Sequence, residues 1–197
     1  MDNFILRRNI KEIESKINLR PLFIDYKEEC CKEIVNIIFI HDNWILGGGL
    51  FLEQALTEIR KIYHDTRLIV AGTKPNNFIV NSIEIDDYNS IEFEKYYNEN
   101  SIMCVPYLYD SLGMPIMNAM SHNLPVITTR SIYTEQYIKD NENGFFVEKG
   151  NKMQLVAKLL QLISNKNLRR KIGANAYGSV ISNYHVSDYS CSNKLYV

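Results

Sequence analysis

Asp110, Ser111, Leu112 and Gly113 stand between an apolar run that ends at Leu108 and an amphipathic segment that begins at Met114. At this point a strand gives way to a helix. A helix start carries orphan N–H groups and the positive end of the peptide dipole, so it favours anions. Gly113 lets a ligand approach the backbone closely. Asn118 follows about one helical turn further in, within reach of the same cleft. A carboxylate and an amide converging on a helix start suit a polyhydroxylated, phosphorylated ligand. The carboxylate accepts from sugar hydroxyls and the N–H groups face phosphate. The plainer reading is that Asp110 only caps the helix. The chemistry of these residues alone leaves both readings open.

The elements that must position this turn recur along the chain. Ile34 to Ile40 is a nearly continuous apolar, β-branched run, the pattern of a strand buried on both faces. A loop with three glycines, His41 to Gly49, separates it from a helical pattern over Leu50 to Tyr63. Arg67 to Ala71 reads as a second buried strand, and Ile79 to Ile85 as a weaker one. Ser90 to Asn98 reads as a short helix with Ser90 at its N-cap. Then come a strand over Ile102 to Leu108, the turn, a helix over Met114 to His122 and a strand over Leu124 to Thr129. A short helix over Tyr133 to Lys139, a turn at Asn143-Gly144 and a short strand over Phe145 to Val147 follow. Helices over Met153 to Ser164 and Leu168 to Asn183 complete the pattern.

Strands alternating with helices predict a doubly wound parallel α/β sheet flanked by helices on both faces, Rossmann-like. Ligands in such sheets sit outside the carboxyl ends of the strands. The loops 41–49, 72–76, 86–88, 107–113 and 129–133 are therefore the candidate site. The sequence divides into an N-terminal helix and linker (1–33), the binding domain (34–185) and a polar, aromatic tail (186–197). The N-terminal helix is read over residues 3–17, and Pro21 to Asp25 resembles a linker.

With 197 residues, 46% of them hydrophobic, the chain can bury a proper core. Its net charge of -1 offers no broad basic field for nucleic acid. The one basic cluster, Lys166, Arg169, Arg170 and Lys171, reads as a solvated helix face. Cys30, Cys31, Cys104 and Cys191 form no CxxC pair or disulfide framework, which suits reduced thiols in the cytosol. The N-terminus does not read as a signal peptide, and no window approaches the roughly 20 apolar residues of a membrane span. Peripheral contact with the inner face of a membrane stays open. No His, Cys and Asp grouping has metal-ligand spacing. Met114, Met117 and Met120 read as core. Trp44 either stacks on a base or sugar or buries itself under its loop.

Beyond these patterns, DSLGMPIMNAMSHNLPVITT resembles the carbohydrate-donor signature of retaining glycosyltransferases of family 4, which have the GT-B fold. The resemblance continues through Thr134-Glu135-Gln136-Tyr137-Ile138 and through Glu142-Asn143-Gly144-Phe145-Phe146-Val147. It covers about residues 34 to 185. It implies a nucleoside-diphosphate sugar as donor, a glycan or lipid-linked acceptor, and no cofactor or metal. Asp110 would contact the sugar hydroxyls. The Ser111, Leu112, Gly113 and Met114 backbone would face the diphosphate, Asn118 the ribose, and Glu135 the pocket wall.

The chain departs from the family in three places. The family's signature carries two glutamates spaced as Asp110 and Asn118 are. An amide at the second accepts a hydrogen bond more weakly than a carboxylate. The family's Arg and Lys that clamp the diphosphate fall near Asp42 and Gly47. Backbone N–H groups of Gly47, Gly48 and Gly49 are candidate replacements, and a mobile or merely structural turn is the equal alternative; His41 lies in the same presumed cleft, where a lone loop histidine is more often structural or solvated. Finally, only residues 1 to about 33 precede this domain, too few for the second lobe of a GT-B enzyme. A complete site is expected to need a second glycosyltransferase chain, a homo-oligomer mate or another domain. The alternative is a non-catalytic, degenerate subunit or scaffold. A receiver-type module ranks below both, because His41-Asp42 is a poor acidic cluster.

Overall fold

The computed structural model describes residues 34–73, 82–85, 91–109 and 111–183. The expected helix 3–17, the 21–25 linker, Ser90, the 86–88 loop, Asp110 and the tail lie outside these residues. So do Cys30, Cys31 and Cys191. The described residues belong to one contact unit that starts at Glu33.

Six strands form one parallel sheet: β1 (Val35–His41), β2 (Thr66–Gly72), β3 (Ser82–Ile85), β4 (Ser101–Val105), β5 (Val126–Thr129) and β6 (Phe145–Val147). Their order is β3-β2-β1-β4-β5-β6, so the expected doubly wound α/β sheet is what the chain forms. β1 lies at the middle, pairing from Val35↔Thr66 to His41↔Gly72 on one side and from Asn36↔Ser101 to Ile38↔Met103 on the other. Burial on both faces is why its sequence shows no alternation.

Among the described residues, five helices cover the sheet: α1 (Gly49–Ile59), α2 (Ile91–Glu94), α3 (Met114–Ser121), α4 (Lys152–Ile163) and α5 (Lys166–Asn183). Leu52, Ala55, Leu56 and Ile59 make the buried stripe of α1. α1 packs with α4, and α3 packs with α5. Asn151 caps α4 by accepting from the Gln154 N–H at 3.1 Å.

Several boundaries differ from the expected ones. β4 stops at Val105, because Pro106 has no N–H for the ladder. β5 starts at Val126, after Pro125. The segment 133–139 forms only a 3-10 turn, Thr134–Gln136, and the helix expected over 90–98 is the four-residue α2. Two side chains are also corrected. Arg169, read as part of a solvated face, is 1% exposed and donates to the Leu162 and Ile163 carbonyls, both at 2.9 Å. It closes the C-terminal end of α4, where carbonyls lack helical partners. Met114, read as core, is 50% exposed at the first position of α3, whereas Met117 and Met120 are buried. Among the described residues no helix is long and apolar enough to cross a membrane.

Candidate functional site

The strand order reverses direction between β1 and β4, so their carboxyl ends flank the switch point. The loops after β1, β4 and β5 meet there.

After β4 the chain is tied down on its β5 side. Thr128 Oγ1 donates to the Val105 carbonyl at 2.9 Å, and Thr129 Oγ1 donates to the Tyr107 carbonyl at 2.8 Å. Burial pushes the Tyr107 phenol up to about 12, against a hydrogen bond from Ser111. Ser131 Oγ reaches the Ser111 carbonyl at 3.4 Å, and Tyr137 Oη donates to the Leu112 carbonyl at 3.0 Å. Gly113 is the N-cap of α3 at φ 71°, and a Cβ there would collide with Tyr137 Oη. That conformation and that contact together require glycine.

The first turn of α3 offers fewer donors than a generic helix start. Pro115 has no N–H, and the Ile116 N–H bonds to the Gly113 carbonyl at 2.8 Å. The Gly113 N–H points to Ser111 Oγ at 3.3 Å. Met114 therefore carries the first-turn amide that is not used within the helix. The catalytic candidate Asp110 is outside the described residues. Asn118 is exposed, and its Nδ2 donates to Tyr97 Oη at 3.3 Å. Its carbonyl receives Ser121 Oγ at 2.7 Å and His122 Nδ1 at 2.8 Å, and the His122 ring stacks on Tyr97 at 4.7 Å. His122 thus caps the C-terminal end of α3.

Of the two readings of the glycine-rich loop, its hydrogen bonds favour the structural turn. The Gly47 N–H bonds to Asn43 O at 2.9 Å, Gly48 to Ile45 O at 3.0 Å and Gly49 to Trp44 O at 2.8 Å. These amides are spent inside the loop and do not replace a phosphate clamp in this conformation. The glycines make room instead. Gly47 lies on the Phe39 and His41 rings, Gly48 on the Pro106 carbonyl and Gly49 on the Trp44 indole. Trp44 buries itself under the loop, its ring 4.9 Å from Phe39.

His41, at the end of β1, does reach the switch point. Its Nδ1 accepts the Asn43 N–H at 2.7 Å, so the ring proton sits on Nε2, which donates to Tyr109 Oη at 2.9 Å. Burial lowers its pKa, and the Asp42 carboxylate opposes the shift. Glu135, on the 3-10 turn, pairs with Arg130 at 2.9 Å. Arg130 also lies 3.6 Å from Asp140 and over the Phe146 ring at 4.5 Å.

The structure thus brings His41 beside the β4 loop, and Ser111 to Gly113 beside the β5 loop. Glu135 faces Arg130, and Asn118 faces Tyr97. Four residues of this arrangement were not singled out from sequence: Tyr109, Arg130, Ser131 and Tyr137. Their placement in or beside the strand-end loops was the available signal. Among the described residues no three His, Cys, Asp or Glu side chains group as metal ligands.

A six-stranded parallel sheet with this turn at its carboxyl edge defines a Rossmann-like domain of the GT-B type. A family model described as "Glycosyl transferases group 1" matches residues 51–179, and the chain belongs to that family. An uncharacterized glycosyltransferase of Methanocaldococcus jannaschii is 33% identical over 146 residues, which is 68% of this chain and 42% of that protein. The crystal structure of the C-terminal domain of the glycosyl transferase group 1 family protein LpcC from Francisella tularensis is 26% identical. It superposes with a TM-score of 0.66 over 77% of this chain and 87% of that domain. The pneumococcal O-GlcNAc transferase GtfA, solved with UDP and GlcNAc, shares the fold at 14% identity. Its TM-score is 0.62, over 81% of this chain and 34% of that one. The chain spans about two fifths of the length of the first curated relatives it matches.

Proposed function

We propose that this chain is the donor-binding half of a retaining glycosyltransferase of family 4. It binds a nucleoside-diphosphate sugar for transfer to a glycan or lipid-linked acceptor. The observation that carries the reading is the Ser111–Met114 turn. Gly113 opens α3 beside the switch point, and the Met114 amide is left for an anion. In this proposal Asp110 contacts the sugar hydroxyls, the turn faces the diphosphate, and Asn118 faces the ribose after release from Tyr97. Glu135 lines the pocket wall and orients Arg130, a cation on the neighbouring loop. In retaining chemistry of this kind the donor phosphate helps remove the acceptor proton, so no enzyme nucleophile is assigned. The reading assigns no metal. UDP in the pneumococcal relative supports a uridine nucleotide as the first donor to try.

A second lobe, in another domain, another glycosyltransferase chain or a second copy, would complete the site. Supporting this, Ile45 (65% exposed), Leu112 (60%) and Ile132 (65%) all project from the strand-end loops. Exposed apolar side chains gathered at one end of a domain mark a surface that is covered in use. On this reading the chain works on the cytoplasmic side, at the inner face of a membrane when the acceptor is lipid-linked.

Two observations favour a non-catalytic scaffold instead: the Gly47, Gly48 and Gly49 amides are committed, and Asp42 stands where the family has a cation. Calorimetry with UDP, UDP-glucose, UDP-GlcNAc and GDP-mannose separates the two. The donor-domain reading expects micromolar to millimolar binding of at least one. Silence from all four at millimolar concentration sinks it and leaves the scaffold.

A further inference from the structure

Among the described residues, the contacts that join the loops following β1 and β4 across the switch point include three. Leu108 N–H donates to the Leu46 carbonyl at 2.9 Å. Gly48 lies against the Pro106 carbonyl, with no room for a Cβ between them. The third contact is made by side chains, His41 Nε2 and Tyr109 Oη, 2.9 Å apart. We propose that His41 is a positioning residue for the donor turn: through Tyr109 it holds the loop between β4 and α3 in shape. The inference rests on the donor-domain reading above.

Two observations show that this bond is built rather than incidental. First, the tautomer is set. The Asn43 N–H occupies Nδ1 at 2.7 Å, so Nε2 can only donate. Second, the ring is flanked by aromatic neighbours. It meets Tyr107 edge-on at 5.6 Å between centroids and Tyr109 at 5.8 Å, with Phe39 tilted behind it at 6.5 Å. Below it, a Cβ on Gly47 would stand 2.7 Å from His41 Cγ, so the glycine exists to admit the ring.

The consequence falls on the turn. Tyr109 lies two residues before Ser111, whose Oγ receives the Gly113 N–H. From the β5 side the same loop is held by Ser131 and Tyr137. From the β1 side the side-chain anchor is His41. The turn is therefore suspended between two strands, and loss of either anchor loosens the amides that would face phosphate. In this proposal His41 acts on the ligand indirectly, through Tyr109.

Amide exchange by NMR and calorimetry with UDP test this on the full chain carrying His41→Ala, His41→Gln or Tyr109→Phe. His41→Ala and Tyr109→Phe should each speed exchange at Leu108 and Gly113 by about tenfold or more. Each should weaken UDP by about five- to tenfold, and the double variant should be no worse than either single. His41→Gln keeps an N–H donor toward Tyr109 and should stay within about twofold of wild type in both measurements. Unchanged exchange at Leu108 and Gly113 in Tyr109→Phe overturns the proposal. So do losses that add in the double variant, or a failure of His41→Gln to rescue. Tyr109→Phe removes one hydroxyl, so it carries the test where His41→Ala fails to fold. If wild type binds neither UDP nor the nucleotide sugars, the donor reading falls. The exchange data then still decide whether His41 holds the loop.

Discussion

Gly48 opens α1 at φ 79°, and the Pro106 carbonyl oxygen fills the space a side chain would need. Gly48→Ala combines left-handed strain with a backbone clash. Urea unfolding should show a loss of more than about 2 kcal/mol. His41 makes a pH-dependent contribution. Its folded pKa lies below the ordinary 6.5, so between the two values the unfolded chain binds more protons. The stability it contributes is present above about pH 6.5 and is lost as pH falls through the lowered folded value. Thermal unfolding from pH 7.5 to 5 should show that fall, and a His41→Gln variant should flatten it. At this scale the turn residues were legible by type and spacing, and Arg169 was not. A sequence shows that a guanidinium is charged but not that three-dimensional packing aims it at the open carbonyls of the preceding helix. The role of the Gly47–Gly49 amides stayed open for the same reason: Asn43, Trp44 and Ile45 carbonyls claim them, and composition records no partners.

At the scale of elements, β5 does more than carry the sheet onward. Thr128 and Thr129 are both buried, and their hydroxyls reach across to carbonyls at the end of β4 and just beyond it. Pro106 and the chain beyond it cannot continue the ladder, so these hydroxyls take over the carbonyls that strand pairing would have served. Thr129→Val keeps the shape and leaves the Tyr107 carbonyl unpaired. It should lower unfolding stability by about 1–2 kcal/mol. The same variant should speed amide exchange in the β4 loop while sparing β1. The hydrophobic run Ile102 to Leu108 suggested a longer strand because apolar character outlasts the pairing. Tyr107 is buried by its loop and by the aromatic rings around His41, which no strand pattern separates from burial in a sheet.

For the whole molecule, alternation of apolar runs and amphipathic segments was enough to give the doubly wound sheet, because each run is long and each link short. The candidate site was half legible. The turn at Gly113 stands out by its residues, whereas the anchors that suspend it, Tyr109, Ser131 and Tyr137, are ordinary residues made important by tertiary contact. The exposed apolar residues on the strand-end loops follow no periodicity and become a surface only when three loops are gathered at one end of the sheet.

The central place of β1 bears on how the chain is made. Synthesis produces β1 and β2 early, yet the other flank of β1 waits for Ser101, whose hydroxyl accepts from Asn36 across 65 residues of sequence. Until β4 leaves the ribosome, VNIIFIH presents an apolar, β-branched edge to its surroundings. Nascent chains halted before residue 101 should therefore recruit chaperones or aggregate, and chains halted after residue 183 should not. A soluble-fraction assay over a stepwise truncation series would show the step where β4 becomes available.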